Sequence, residues 1–281
     1  MAVDRPAHAM PSLPAASLRI FDLSLGEMLW SRRTVFLALV VGGPVLIAVV
    51  LRALDLFGLL RVTDGSLRVT GPSIFALMIS YIFLRFITPI LGIFYGTALM
   101  ADEVEDKTLT YLFTRPIPRS AVLIGKYLAY LAATTLIILP SVVLVFFLVV
   151  PIGGGSIAAA FPTLLRDLAL LALGLSVYGA LFAAVGAWLK RPVLFGIFFA
   201  FGWENFAMVL PGYIRRFTVV YYTQSLIPHA MPTDGVVSIL QSLFKDTVPA
   251  WQAALTLAAI LVVALALATR AVERREYVLE Q

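Results

Sequence analysis

The chain contains no cysteine, which excludes disulfides and thiolate metal sites and leaves the redox compartment undetermined. Histidine is nearly as scarce. His8 and His229 are the only two, and neither has a partner at ligand spacing, so no metal site of the chain's own is expected. Charge is thin as well: 13% of the 281 residues are charged, against roughly 25% in soluble domains. That is too few to cover the core of a water-soluble protein of this length. No G-x-x-x-x-G-K-[ST] phosphate cradle and no H-E-x-x-H motif occurs, and no credible pair of acids lies within an apolar run, which leaves a membrane-embedded enzyme with little support.

What is present is apolar sequence, 61% of the chain. A helix rises about 1.5 Å per residue and the hydrocarbon layer is about 30 Å thick, so a span needs roughly 20 mostly apolar residues. Six segments qualify: Thr34 to Leu51, Ser73 to Met100, Tyr127 to Val150, Leu168 to Leu189, Val193 to Leu210 and Ala250 to Thr269. Lipid offers backbone groups no hydrogen-bond partner, and long runs do not read as barrel strands, so each segment is expected to be helical. The fold class expected is therefore an all-α integral membrane protein with six transmembrane helices. Only Lys190, Arg191 and Pro192 separate the fourth and fifth spans, which predicts a tight hairpin. The first apolar run begins at Thr34, after an Arg-bearing segment, and is longer than a secretory h-region of roughly 7 to 15 residues, so no cleaved signal peptide is expected.

The formal net charge is +5, but the bases stand singly or in pairs at the ends of apolar runs, without the aromatic interleaving of a nucleic-acid surface. They report topology instead. The amino end, the loop after span two, the turn after span four and the carboxy end together hold thirteen Lys and Arg. The opposite side holds seven, and Arg85 lies inside a span. The positive-inside tendency makes the thirteen-base side cytoplasmic, with both termini there, in the inner membrane. This divides the chain into a cytoplasmic amino-terminal segment (1–33), a six-span permease domain (34–269) and a cytoplasmic tail (270–281).

In the amino-terminal segment Phe21, Leu25, Met28 and Leu29 recur at helical spacing, with Asp22 and Glu27 elsewhere, which fits an interfacial helix or a plain amphipathic lead-in to span one. In span four Ala172, Ser176, Ala180 and Ala184, and again Gly179, Ala183 and Ala187, recur every fourth residue. Helices approach closely along such faces, so packing rather than substrate contact is expected there.

Residues 101–129, ADEVEDKTLTYLFTRPIPRSAVLIGKYLA, are too polar at their start for membrane. Asp102, Glu103, Glu105 and Asp106 gather acid where a helix start favours it, and Glu103 precedes Lys107 by four residues, a stabilising order. Pro116 and Pro118 then break the helix, and Arg119 and Lys126 flank the run into span three. The expected shape is helix, elbow, helix along the membrane face.

This stretch resembles the cytoplasmic loop of ABC type-2 transporter permeases, whose usual pattern is a Glu, then Gly-Thr-Leu, a Pro with a nearby Arg, and Gly-Lys. The matching residues are Glu103, Thr108, Leu109, Pro116, Arg119, Gly125 and Lys126, with Lys107 standing where the family usually has glycine. Residues 203–226, WENFAMVLPGYIRRFTVVYYTQSL, are similar to the Trp-Glu, Pro-Gly, Arg and aromatic pattern many such permeases carry after span five. The resemblance implies a loop that docks on a separate ATPase subunit. It also implies export driven by ATP and magnesium bound on that partner, with no cofactor in this chain. Six spans are too few to enclose a large substrate path alone, so pairing with a second permease, as a homodimer or heterodimer, is expected. The cargo is not legible.

Arg85 lies in span two, where a charge costs about 2.5 to 3.5 kcal/mol on insertion scales, and Glu204 lies in span five. These are the only charges clearly within spans, which motivates a pair between them; the alternative is that each finds water or backbone separately. The outer segment from Pro211 to Pro249 is expected to form short interfacial helices, because its aromatic rings favour that boundary. An ion-gradient secondary transporter would want matched broken halves, and no internal repeat is apparent. A non-transporting anchor that recruits an ATPase fits the same sequence features.

Overall fold

The computed structural model describes residues 13–30, 32–59, 70–99, 119–210, 213–227 and 248–274. Among the described residues, eight helical elements carry the fold. An amino-terminal helix α1 (Leu13–Leu29) leads to α2 (Arg32–Leu56). Then come α3 (Gly71–Gly96), α4 (Arg119–Val149), α5 (Ile157–Trp188), α6 (Pro192–Val209), a short α7 (Val219–Ser225) and α8 (Ala250–Arg274). No strand occurs among the described residues. α2 to α6 and α8 are each long and apolar enough to cross a membrane, which gives the six expected spans. The chain is an all-α, multi-pass membrane protein.

The two largest differences from the expected boundaries lie at the starts of spans three and four. Span three is helical from Arg119 onward, so Arg119, Gly125 and Lys126 belong to the span's own first turns and not to a separate piece. Span four begins at Ile157, eleven residues before the expected Leu168. Ser156 caps it by accepting from the Ala159 amide at 3.4 Å, and Asp167 is buried within it. Pro162, Arg166 and Asp167 masked this start in a hydropathy reading. The hairpin between spans four and five is as tight as expected: α5 ends at Trp188 and α6 starts at Pro192, where a proline costs no hydrogen bond.

α5 is the central strut. Its small-residue face admits neighbours so closely that a Cβ on Gly179 would lie 2.1 Å from Cε1 of Tyr130 on α4. The Tyr127 and Tyr130 hydroxyls of α4 donate to the α5 carbonyls of Ser176 and Leu175 at 2.7 and 2.9 Å. The stripe therefore serves helix packing, as expected. α4 and α5 are joined by a turn in which Gly153 and Gly154 take positive φ, 66° and 82°, a conformation that glycine adopts without steric cost.

α3 and α6 are not uniform α-helices. Met78–Ile87 and Gly92–Gly96 in α3, and Phe198–Trp203 in α6, are wound more loosely, as π-helix. Pro89 accounts for part of this, because it has no amide to donate to the preceding turn and its ring crowds that turn's carbonyl. The Thr88 hydroxyl donates to the Phe83 carbonyl at 2.8 Å, which also receives the Thr88 amide.

Candidate functional site

At one end of the bundle, α4, which follows the 100–118 connection, packs against α1. Glu103, Thr108, Leu109 and Pro116 lie outside the described residues. Arg119 opens α4, and Gly125 and Lys126 follow in its second turn. Gly125 is the point where α1 rests on α4: a Cβ there would stand 2.6 Å from the Ser17 carbonyl oxygen and 2.8 Å from Cβ of Ile20. Any side chain at 125 would push α1 away. The buried stripe of α1 accordingly runs through Ala16, Ser17, Ile20 and Ser24, with Leu18 and Leu23 exposed. Phe21, Leu25 and Met28, singled out from sequence, are half-buried, because close approach to Gly125 favours a face of small side chains.

The elbow between α1 and α2 is tied into the same corner. The Thr34 hydroxyl donates to the Met28 carbonyl and lies 3.4 Å from the Tyr95 hydroxyl near the end of α3. Tyr95 in turn packs beside Tyr130 of α4, ring centroids 6.4 Å apart. Four helices thus converge around the roots of one connecting segment, so a displacement of that segment has a mechanical route into spans one, two and three.

A second polar site lies inside the bundle, next to the loosened helical segments. Glu204, 1% exposed, follows directly on the Phe198–Trp203 segment. Its carboxylate accepts from the Tyr178 hydroxyl of α5 at 2.5 Å and from the Val219 amide at the start of α7 at 2.8 Å. Arg85, in the Met78–Ile87 segment, donates from Nε and Nη2 to Oδ1 of Asn205 at 3.1 and 2.8 Å. Asn205 uses its own amide to donate to the Phe201 carbonyl at 2.9 Å.

The direct Arg85 to Glu204 pair expected from sequence is therefore replaced by two separate contacts, with no ion pair between them among the described residues. Successive helical residues point about 100° apart, so Asn205 faces α3 while Glu204 faces α5 and α7. A strongly polar residue beside Glu204 in an apolar run was the signal available in sequence, as was a tyrosine within the small-residue stripe. π segments recur at functional positions in helices, and here they flank both contacts.

The segment after span five forms short helical pieces. Tyr213–Phe217 forms a short exposed turn of 3-10 helix, with Arg216 over the Tyr213 ring at 4.7 Å. α7 packs inside the bundle. Val219, Val220, Tyr221, Tyr222 and Thr223 are all buried, packed among Val177, Tyr178, Met208 and Leu257. The chain re-enters the bundle because Glu204 receives the first amide of α7 and Thr218 caps the same turn through the Tyr221 amide at 3.3 Å. Residues 228–247 lie outside the description.

A protein-family model described as ABC-2 family transporter protein matches residues 14–277, nearly the whole chain. The chain belongs to the ABC-2 transporter family. Comparison with curated proteins returned no match. Membership makes the chain a permease component of an ABC transporter, a transporter subunit of a family that generally works with a cytoplasmic ABC ATPase. No cluster of three or more metal-ligating side chains occurs among the described residues.

Proposed function

We propose that this chain is the membrane-spanning subunit of an ABC exporter, driven by a separate ATPase that binds ATP and magnesium and docks on residues 101–126. In this reading the thirteen-base side faces the cytoplasm of an inner membrane and holds both termini, and two permease chains, identical or similar, form the transport route. Residues 1–33 and 270–281 are then the cytoplasmic segments around a permease domain at 34–269.

The observation that supports this reading best is the seating of α1 on Gly125, next to Lys126 and six residues from Arg119. Closure of a docked ATPase would push one corner that already joins α1 to the ends of spans two and three. Arg85, Glu204 and their partners would hold the far part of the bundle together while that corner moves.

The test is co-purification with a phosphate-cradle ATPase expressed alongside, followed by ATP hydrolysis of the complex. Glu103→Lys is expected to abolish complex formation while the permease still elutes as a folded protein. Stable binding in the E103K variant, or the absence of any nucleotide-dependent transport by the complex, would overturn the proposal.

A further inference from the structure

α5 and α8 leave an open groove of about 430 Å³ on the face of the bundle, walled by Leu181, Ala184 and Val185 on one side and by Ile260, Val263 and Leu267 on the other. Its lining is hydrocarbon. The one hydroxyl in it, that of Thr256, is already spent on the Gln252 carbonyl of its own helix at 2.8 Å. The groove is also accessible, since Val263 is 56% exposed.

The two walls continue into bases at one end only. On α8 the stripe Thr256, Val263 reaches Arg270 after two further helical turns, on the same face. On α5 the stripe Leu181, Ala184, Val185 reaches the exposed ring of Trp188, and Lys190 and Arg191 follow in the turn. Ala187 and Ala268 sit in one buried cluster with Ala271, so the two helices are level there and the three bases share one end of the groove. Arg270, Lys190 and Arg191 are all exposed. An apolar slot, an aromatic ring beside it and a cationic rim at one end match the layout of an amphiphile with an anionic head.

We infer that the α5–α8 groove seats one anionic phospholipid, with an acyl chain between Val185 and Val263 and its phosphate among Arg270, Lys190 and Arg191. A second copy of this chain is the less suitable occupant. Twofold pairing sets a patch against itself, and for an axis along the membrane normal it would bring like charges together at Arg270.

The test uses full-length chain in detergent with Trp30, Trp203 and Trp251 changed to Phe, leaving Trp188 as the reporter. Phosphatidylglycerol with brominated acyl chains is expected to half-quench Trp188 at a mole fraction at least about fivefold lower than brominated phosphatidylcholine, the effect of one base near an anionic surface. Combined Lys190→Gln, Arg191→Gln and Arg270→Gln should erase that preference, whereas Lys190→Arg, Arg191→Lys and Arg270→Lys should keep it and so control for folding. Ala264→Phe, which fills the floor, should weaken quenching by both lipids. Equal quenching by the two lipids in the reporter protein, or a preference that survives loss of the three charges, would overturn the assignment. So would efficient disulfide cross-linking of Val263→Cys to a second copy in native membranes.

Discussion

The Tyr178 hydroxyl and the Glu204 carboxylate, on consecutive spans and 26 residues apart, meet in a hydrogen bond of 2.5 Å within the interior. The same carboxylate holds the first amide of α7, so one side chain fixes both a span and the segment that re-enters beneath it. Tyr178→Phe removes a donor without changing the packing volume. Interhelical hydrogen bonds in membranes contribute about 0.6 to 1.7 kcal/mol. Unfolding titrations in mixed micelles should show a loss in that range, and an unchanged midpoint would mean that the bond carries no net stability.

Arg85 and Asn205 should be energetically coupled, and Arg85 and Glu204 much less so. Double-mutant cycles of Arg85→Gln with Asn205→Ala and with Glu204→Gln separate the two cases. A coupling of about 1 kcal/mol is expected for the first pair, because one amide oxygen receives both guanidinium bonds. The finding would be reversed by a larger coupling in the second cycle.

Gly125→Leu should lift α1 off α4. Ser17 is 4% exposed, so a Ser17→Cys probe should resist a soluble maleimide in the parent and react readily once Gly125 is replaced. The probe is clean because the chain has no cysteine of its own. Equal labelling in both proteins would show that α1 does not depend on the glycine.

Orientation is open to the same chemistry. Single cysteines at Glu103 and Lys190 should be shielded from an impermeant reagent in intact cells, and one at Ser156, in the turn between α4 and α5, should be accessible. The opposite pattern would place residues 101–126 out of reach of any cytoplasmic ATPase.

The spans were legible because roughly 20 apolar residues admit few other readings, and Pro192 announced its own hairpin. What sequence concealed depends on which face of a helix meets which neighbour. Ser17 and Ser24 look like solvent residues until Gly125 removes the side chain opposite them. Asn205 was overlooked beside a formal charge, although only one of two adjacent residues can face α3. The burial of α7 was hidden because tyrosines suit a membrane boundary and a buried cluster equally well. Local periodicity gives no sign of the π winding, to which Pro89 contributes in α3 alone by withholding an amide from the preceding turn.

The turn Leu189 to Arg191 allows almost no slack between α5 and α6, and the Tyr178 bond closes the opposite side of the same hairpin. Two rods fastened at both places form a truss, which can tilt or translate but cannot scissor open. Any conformational cycle of this permease would then have to carry both rods as a unit and take up the strain elsewhere. The two left-handed glycines at 153 and 154 are the natural place for that compliance.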